Sequence, residues 1–218
     1  ANFLVGPGRG ILAADESNGT MTKRLESVGV ESSPETRREY RASLFAMPTI
    51  SKAISGVILY DETIRQNAVD GTSIPDYLHA RNIMPGIKVD TGAKPLAGHD
   101  GETVTEGLDG LRERCAEYFE MGARFAKWRA VIRISDTMPS EACISTNAHA
   151  LARYAAICQE QGLVPIIEPE VLMEGDHDAV RCYAVTADVL AATWDECKVQ
   201  GVHLPGALLK PNMVLPGK

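Results

Sequence analysis

Six stretches of the chain end in charged residues that could do chemistry together. Lys210 stands in "GALLKPNMV" (206–214), flanked by Leu208, Leu209, Met213 and Val214. That pattern reads as a short buried strand with a lysine in its middle. An ammonium in such a place loses hydration, so it must find partners or give up its proton, and a neutral amine is a nucleophile. A lysine at a strand end with its stem on apolar surface and its head in water is the bland alternative. Glu168 and Glu170 in "LVPIIEPEVL" could move protons, and Lys127 and Arg129 in "RFAKWRAVI" could hold anions. Lys88 with Asp90, Asp15 and Asp61 complete the set. The i, i+2 pairs share one face of a strand, because successive side chains alternate. Trp128, between Lys127 and Arg129, must then point the other way, toward covering helices.

These residues need elements to position them. The apolar, β-branched runs "GILAADE" (10–16), "ISGVILYDE" (54–62), "MPGIKVD" (84–90), "RFAKWRAVI" (124–132), "LVPIIEPEVL" (163–172) and "GALLKPNMV" (206–214) read as strands. Their starts lie roughly 30 to 45 residues apart, the length of one βα unit with its loops. Between them lie helical patterns. "TMTKRLESVG" is closed by Gly29, and "SPETRREYRASLFAM" opens with Ser33 as N-cap before Pro34. "GLDGLRERCAEYFEMGA" places Leu108, Leu111, Cys115 and Phe119 on one face and stops at Gly122. "ISTNAHALARYAAICQEQG" and "AVRCYAVTADVLAATWDECKVQG" repeat the arrangement.

Strands alternating with helices predict a parallel sheet covered by helices. A doubly wound nucleotide binder carries its glycine-rich turn after the first strand, whereas "GPGRG" (6–10) precedes it. Charged residues at the C-terminal ends of six strands fit a closed parallel barrel, whose catalytic groups gather at that mouth. The fold class expected is therefore α/β, a (β/α)8 barrel with about six of its eight βα units in residues 1–218. No linker rich in Pro, Gly or Ser divides the chain, so a single domain is expected.

Bulk composition narrows the function. The chain has 218 residues, 44% hydrophobic and 23% charged, with a formal net charge of -7. That charge disfavours nucleic acid or an anionic membrane surface as partner. No apolar run reaches the roughly 18 to 20 residues of a membrane span. The five cysteines are widely spaced without a CxxC, which reads as packing thiols in a reducing compartment, with the cytoplasm as the expected location. "GDHD" (175–178) has the residue types of a metal site. His79, His99, His149, His177 and His203 lack the paired spacing of ligands, so neither metal nor cofactor is expected.

"GRGILAADES" (8–17), "ISGVILYDET" (54–63), "PGIKVDTGAKPL" (85–96), "GLDGLRER" with "GARFAKWRAVI" (107–132), "LARYAAICQEQGLVPIIEPEVL" (151–172) and "LLKPNMVLPGK" (208–218) resemble class I fructose-1,6-bisphosphate aldolases. The resemblance runs end to end, looks closest to bacterial members, and its most specific motifs are "FAKWR" and "LLKPNMV". It implies a metal-independent lyase that cleaves a sugar bisphosphate, with Lys210 as the Schiff-base lysine. Glu168 is then the general acid/base, Lys127 a second cation beside Lys210, and Asp15 the carboxylate beside the substrate hydroxyl that loses its proton. Lys88 and Arg129 would hold hydroxyls and a phosphate, and Ser17, Thr20, Arg24 and Arg37 match positions at the far phosphate end. Glu170 is expected in the site as an ion-pair partner of the lysines. Tetramers are usual in the family, so a homo-oligomer is expected. The family's barrel also carries two further βα units and a catalytic C-terminal tail, so the chain reads as lacking that part. A Schiff-base aldolase for another sugar phosphate and a non-catalytic binding or scaffold barrel are the alternatives. The intact set Lys210, Glu168, Lys127 and Asp15 argues against the last.

Overall fold

Residues 54–59, Ile-Ser-Gly-Val-Ile-Leu, illustrate how this chain makes its strands. Val57, Ile58 and Leu59 are successive, yet each is buried, as a strand covered on both faces requires. In this computed structural model, which describes residues 1–218, the run is strand β2 of the first of two compact units. That unit comprises Ala1–Lys88 and Glu117–Ala126. Strand β1 (Gly10–Ala14), β2 (Ile54–Leu59) and β3 (Met84–Lys88) pair in parallel, with Ala13 opposite Ile58 and Ile58 opposite Gly86.

The connections carry helices α1 (Asn18–Ser27), α2 (Pro34–Phe45), α3 (Ile50–Ala53), α4 (Asp61–Ile64) and α5 (Ile74–His79). Ser17 caps α1 by accepting from the Thr20 amide at 3.3 Å. Gly29 leaves that helix with φ at 77°, a conformation that costs a residue with a Cβ. Ser33 and Thr36 form a capping box at α2, with Pro34 in the first turn. Residues 60–62, read from sequence as the end of a strand, instead turn into α4, where Asp61 accepts from Tyr118 Oη at 2.8 Å. Gly86 has a packing reason: a Cβ there would meet the Phe125 ring at 2.2 Å.

The second unit comprises Val89–Ala116 and Lys127–Lys218. Strand β4 (Gly92–Pro95) and β5 (Thr103–Glu106) form an antiparallel hairpin, which the βα periodicity did not foresee. Helix α6 (Leu111–Glu120) and strand β6 (Phe125–Ile132) each continue from one unit into the other. Then come α7 (Glu141–Glu160), β7 (Val164–Val171), α8 (Ala179–Val199) and β8 (Leu208–Leu209). Within this unit the strand order is β6, β7, β8, with Ile166 opposite Leu208 and Ile167 opposite Leu209 in parallel register.

Trp128 is fully buried and stacks at 5.5 Å on Tyr154 of α7, as its alternation with Lys127 and Arg129 foretells. A second apolar cluster joins Ile132, Ile134 and Val171 to Cys143 of α7 and to Cys182, Val185 and Val189 of α8. All five cysteines are buried thiols, and burial pushes the pKa of Cys143 and Cys197 up to about 11. Two expectations change. Tyr118, at 4% exposure, rather than Phe119, at 37%, faces inward from α6. The strand expected over 206–214 keeps only Leu208 and Leu209, because Pro211 has no amide to continue the ladder.

Candidate active site

The side-chain alternation of β6 and β7 puts Lys127 and Arg129 on one strand face and Glu168 and Glu170 on another. In the second unit these two faces meet. Lys127 Nζ lies 3.5 Å from Glu168 Oε2, and both side chains are almost wholly buried. Glu168 Oε1 accepts from Lys210 Nζ, which arrives from the residue just after β8. Glu168 is thus held between two ammonium groups. Its Oε2 is buried beside the Lys127 ammonium. One pleat further on, Arg129 Nε donates to Glu170 Oε2.

Asp90 locks the floor of this arrangement. Its carboxylate accepts from the Gly92 amide at 3.1 Å and from the Arg129 amide at 3.3 Å, tying the start of the hairpin to β6. Glu170 was expected to pair with the lysines, but its ion-pair partner is Arg129. Lys210 also departs from expectation. Its side chain is 43% exposed, and Leu209, Met213 and Val214 beside it are exposed too. It therefore answers desolvation with a carboxylate partner rather than with an apolar surround. Its backbone amide still donates to Ile167 O at 3.0 Å, which fixes where the side chain starts.

The remaining candidates lie in the first unit. Asp15 is buried one residue past β1, and Lys88 is the last residue of β3. Ser17 and Thr20 face each other, with hydroxyls 3.2 Å apart, in the first turn of α1. Arg24 pairs with Glu16. Arg37 is committed elsewhere: its Nε and Nη2 grip the Glu62 carboxylate at 2.9 and 2.7 Å, and Nη1 reaches Ser32 at 3.0 Å. The hydrogen bonds it donates to Glu62 raise the Arg37 pKa further.

Sequence reasoning missed Glu16, Arg41 and Glu62. Arg41 is wholly buried; it donates to Thr63 Oγ1 at 2.8 Å and to the Glu16 carbonyl, and lies 3.6 Å from the Glu16 carboxylate. Burial lowers its pKa, and the charge of Glu16 opposes that. The available signal was the i, i+4 spacing of Arg37 and Arg41, which places both on one face of α2.

A lysine amine in hydrogen-bond contact with a buried carboxylate is a nucleophile–base pair, and flanking cations suit anionic substrates. The pair lies at the C-terminal ends of parallel strands, where barrel enzymes carry their active sites. The sequence profile of class-I fructose-bisphosphate aldolases matches residues 1–218, so the chain belongs to that family. It is 56% identical over 218 residues to a probable fructose-bisphosphate aldolase class 1 of Xanthomonas campestris. It is equally identical to fructose-bisphosphate aldolase C-B of Danio rerio, and 54% identical over 217 residues to the cytosolic fructose-bisphosphate aldolase 6 of Arabidopsis thaliana. All of this chain is covered in each match, but it spans only 60–65% of the relatives' length. The crystal structure of fructose-bisphosphate aldolase from Plasmodium falciparum, solved with TRAP and a small-molecule inhibitor, superposes with a TM-score of 0.97 at 48% identity. That superposition covers 99% of this chain and 63% of the other. The fold is accordingly the α/β barrel of the aldolases, represented by part of its length.

Proposed function

We propose that the protein carrying this chain is a class I fructose-bisphosphate aldolase that cleaves fructose 1,6-bisphosphate reversibly into glycerone phosphate and glyceraldehyde 3-phosphate. The observation that carries this reading is the contact of Lys210 Nζ with the buried Glu168 carboxylate, with Lys127 on its other oxygen. Glu168 takes a proton from the Lys210 ammonium, and the neutral amine adds to the C2 carbonyl. Glu168, now protonated, returns its proton to the carbinolamine hydroxyl, which leaves as water, and an iminium remains on Lys210. The iminium draws in the electron pair of the C3–C4 bond as that bond breaks. Asp15 accepts the proton of the C4 hydroxyl, so the aldehyde departs and an enamine stays on the lysine. Lys127, beside Glu168, stabilises negative charge on substrate oxygens.

Lys88 and Arg129 hold hydroxyl and phosphate groups, with Glu170 orienting Arg129. Ser17, Thr20 and Arg24 receive the far phosphate. Arg37 supports this end through Glu62. No helix is long and apolar enough to cross a membrane. The cytosolic plant relative supports a cytosolic enzyme, the family a glycolytic or gluconeogenic one and a homotetramer. The test is cleavage of fructose 1,6-bisphosphate by the whole protein in a strong chelator. The iminium supplies the electron sink, so full activity is expected. Activity lost to the chelator and restored by zinc would overturn the mechanism, and turnover confined to another ketose phosphate would overturn the substrate.

A further inference from the structure

Lys210 follows a strand of only two residues, and Pro211 after it has no amide to hold the ladder. Something else must fix the chain beyond the lysine. The Asn212 side chain does so from both ends. Its Oδ1 accepts from the amide of Val171, the last residue of β7, at 3.3 Å. Its Nδ2 donates to Thr186 Oγ1 of α8 at 3.2 Å and to the Met213 carbonyl at 3.1 Å. Thr186 is buried at 8% exposure, so the anchor point lies inside the packed layer.

We propose that Asn212 is a positioning residue for the reacting lysine, acting as a side-chain substitute for the strand pairing that Pro211 interrupts. The inference rests on the Schiff-base reading of Lys210. Lys210 is bracketed: its own amide is bound to Ile167, and Asn212 is bound to Val171. Both acceptor and donor lie on β7, the strand that carries Glu168. Nucleophile and base are therefore referenced to one strand, and the amine's long flexible stem starts from a fixed place. A displacement of about 1 Å in a reacting group can cost on the order of 100-fold in rate, so two modest hydrogen bonds matter here for placement more than for stability.

The test is the single-turnover rate at which borohydride with glycerone phosphate traps the whole protein, measured beside KM and thermal stability. Asn212→Leu keeps the branched shape and removes all three bonds; trapping is expected to slow by about 10- to 100-fold with KM within about twofold of wild type. Asn212→Asp retains an acceptor for Val171, and the Thr186 hydroxyl can donate to it, so trapping is expected to recover most of the loss. Should Asn212→Leu fail to fold, Thr186→Val tests the same bracket from α8 and is expected to slow trapping, with Thr186→Ser restoring it. Trapping at the wild-type rate in Asn212→Leu, or in a folded Thr186→Val, would overturn the inference. So would a loss that merely follows the folded fraction. Wild-type protein that is not trapped at all would overturn the Schiff-base reading itself.

Discussion

Glu168 is buried, with one oxygen on Lys210 and the other 3.5 Å from Lys127. A carboxylate in contact with the amine is placed to exchange a proton with it. Replacing it with glutamine removes the proton carrier while keeping the shape. Glu168→Gln is expected to lower kcat by about 10²- to 10⁴-fold, chiefly in carbinolamine formation and dehydration, with a much smaller effect on substrate binding. Pre-steady-state kinetics check this, and a normal kcat would make Glu168 a structural ion-pair residue only. Glutamine also removes a counter-charge from buried Lys127, and breaking a buried pair from one side costs about 3–5 kcal/mol. Thermal denaturation should therefore accompany the kinetics. At this scale the sequence was informative where alternation applied: Lys127 with Arg129 and Glu168 with Glu170 could be assigned to shared faces by counting. It was uninformative about partners. Glu170 pairs with Arg129, and Arg37 with Glu62, because pairing depends on which strand or helix lies alongside, and residue spacing does not encode that.

The bodies of helices α1, α2, α7 and α8 and the glycine stops were legible because they are local. Of the N-caps only Ser33 was read, so α1 and α7 begin two and three residues before the stretches read from sequence. Ser17, Ser33, Ser140 and Asp178 each cap with their own side chains, and Gly29, Gly162 and Gly201 follow their helices with positive φ. The hairpin of β4 and β5 and the extent of β8 were not legible. The hairpin depends on tertiary bonds, such as Thr105 Oγ1 to the Arg129 carbonyl at 2.7 Å, and β8 has a ladder partner only in β7. Close approach was equally hidden. Gly86 in β3 leaves room for the Phe125 ring, and an added Cβ would lie 2.2–2.6 Å from three ring atoms. Gly86→Ala is expected to destabilise the protein by about 1–3 kcal/mol or more through overpacking. Phe125→Leu in the same chain should recover part of that loss. Chemical denaturation of the single and double variants measures it, and additive effects would show that the two residues do not share this space.

For the molecule as a whole, charged residues at the ends of successive strands pointed to a barrel, and the TM-score of 0.97 to an aldolase bears that out over the part of the barrel present. Composition alone could not have done so, since 44% hydrophobic and 23% charged residues describe any globular protein. The reading of function rests on one selective claim, that Lys210 and no other lysine bonds to substrate. Lys127 is buried against Glu168, whereas Lys210 is part-exposed and donates a hydrogen bond directly to that carboxylate. The most direct measurement is peptide mapping by mass spectrometry after borohydride reduction of the whole protein in the presence of glycerone phosphate. The account predicts a single reduced adduct on Lys210. An adduct on Lys127, or active protein that carries no adduct, would contradict it.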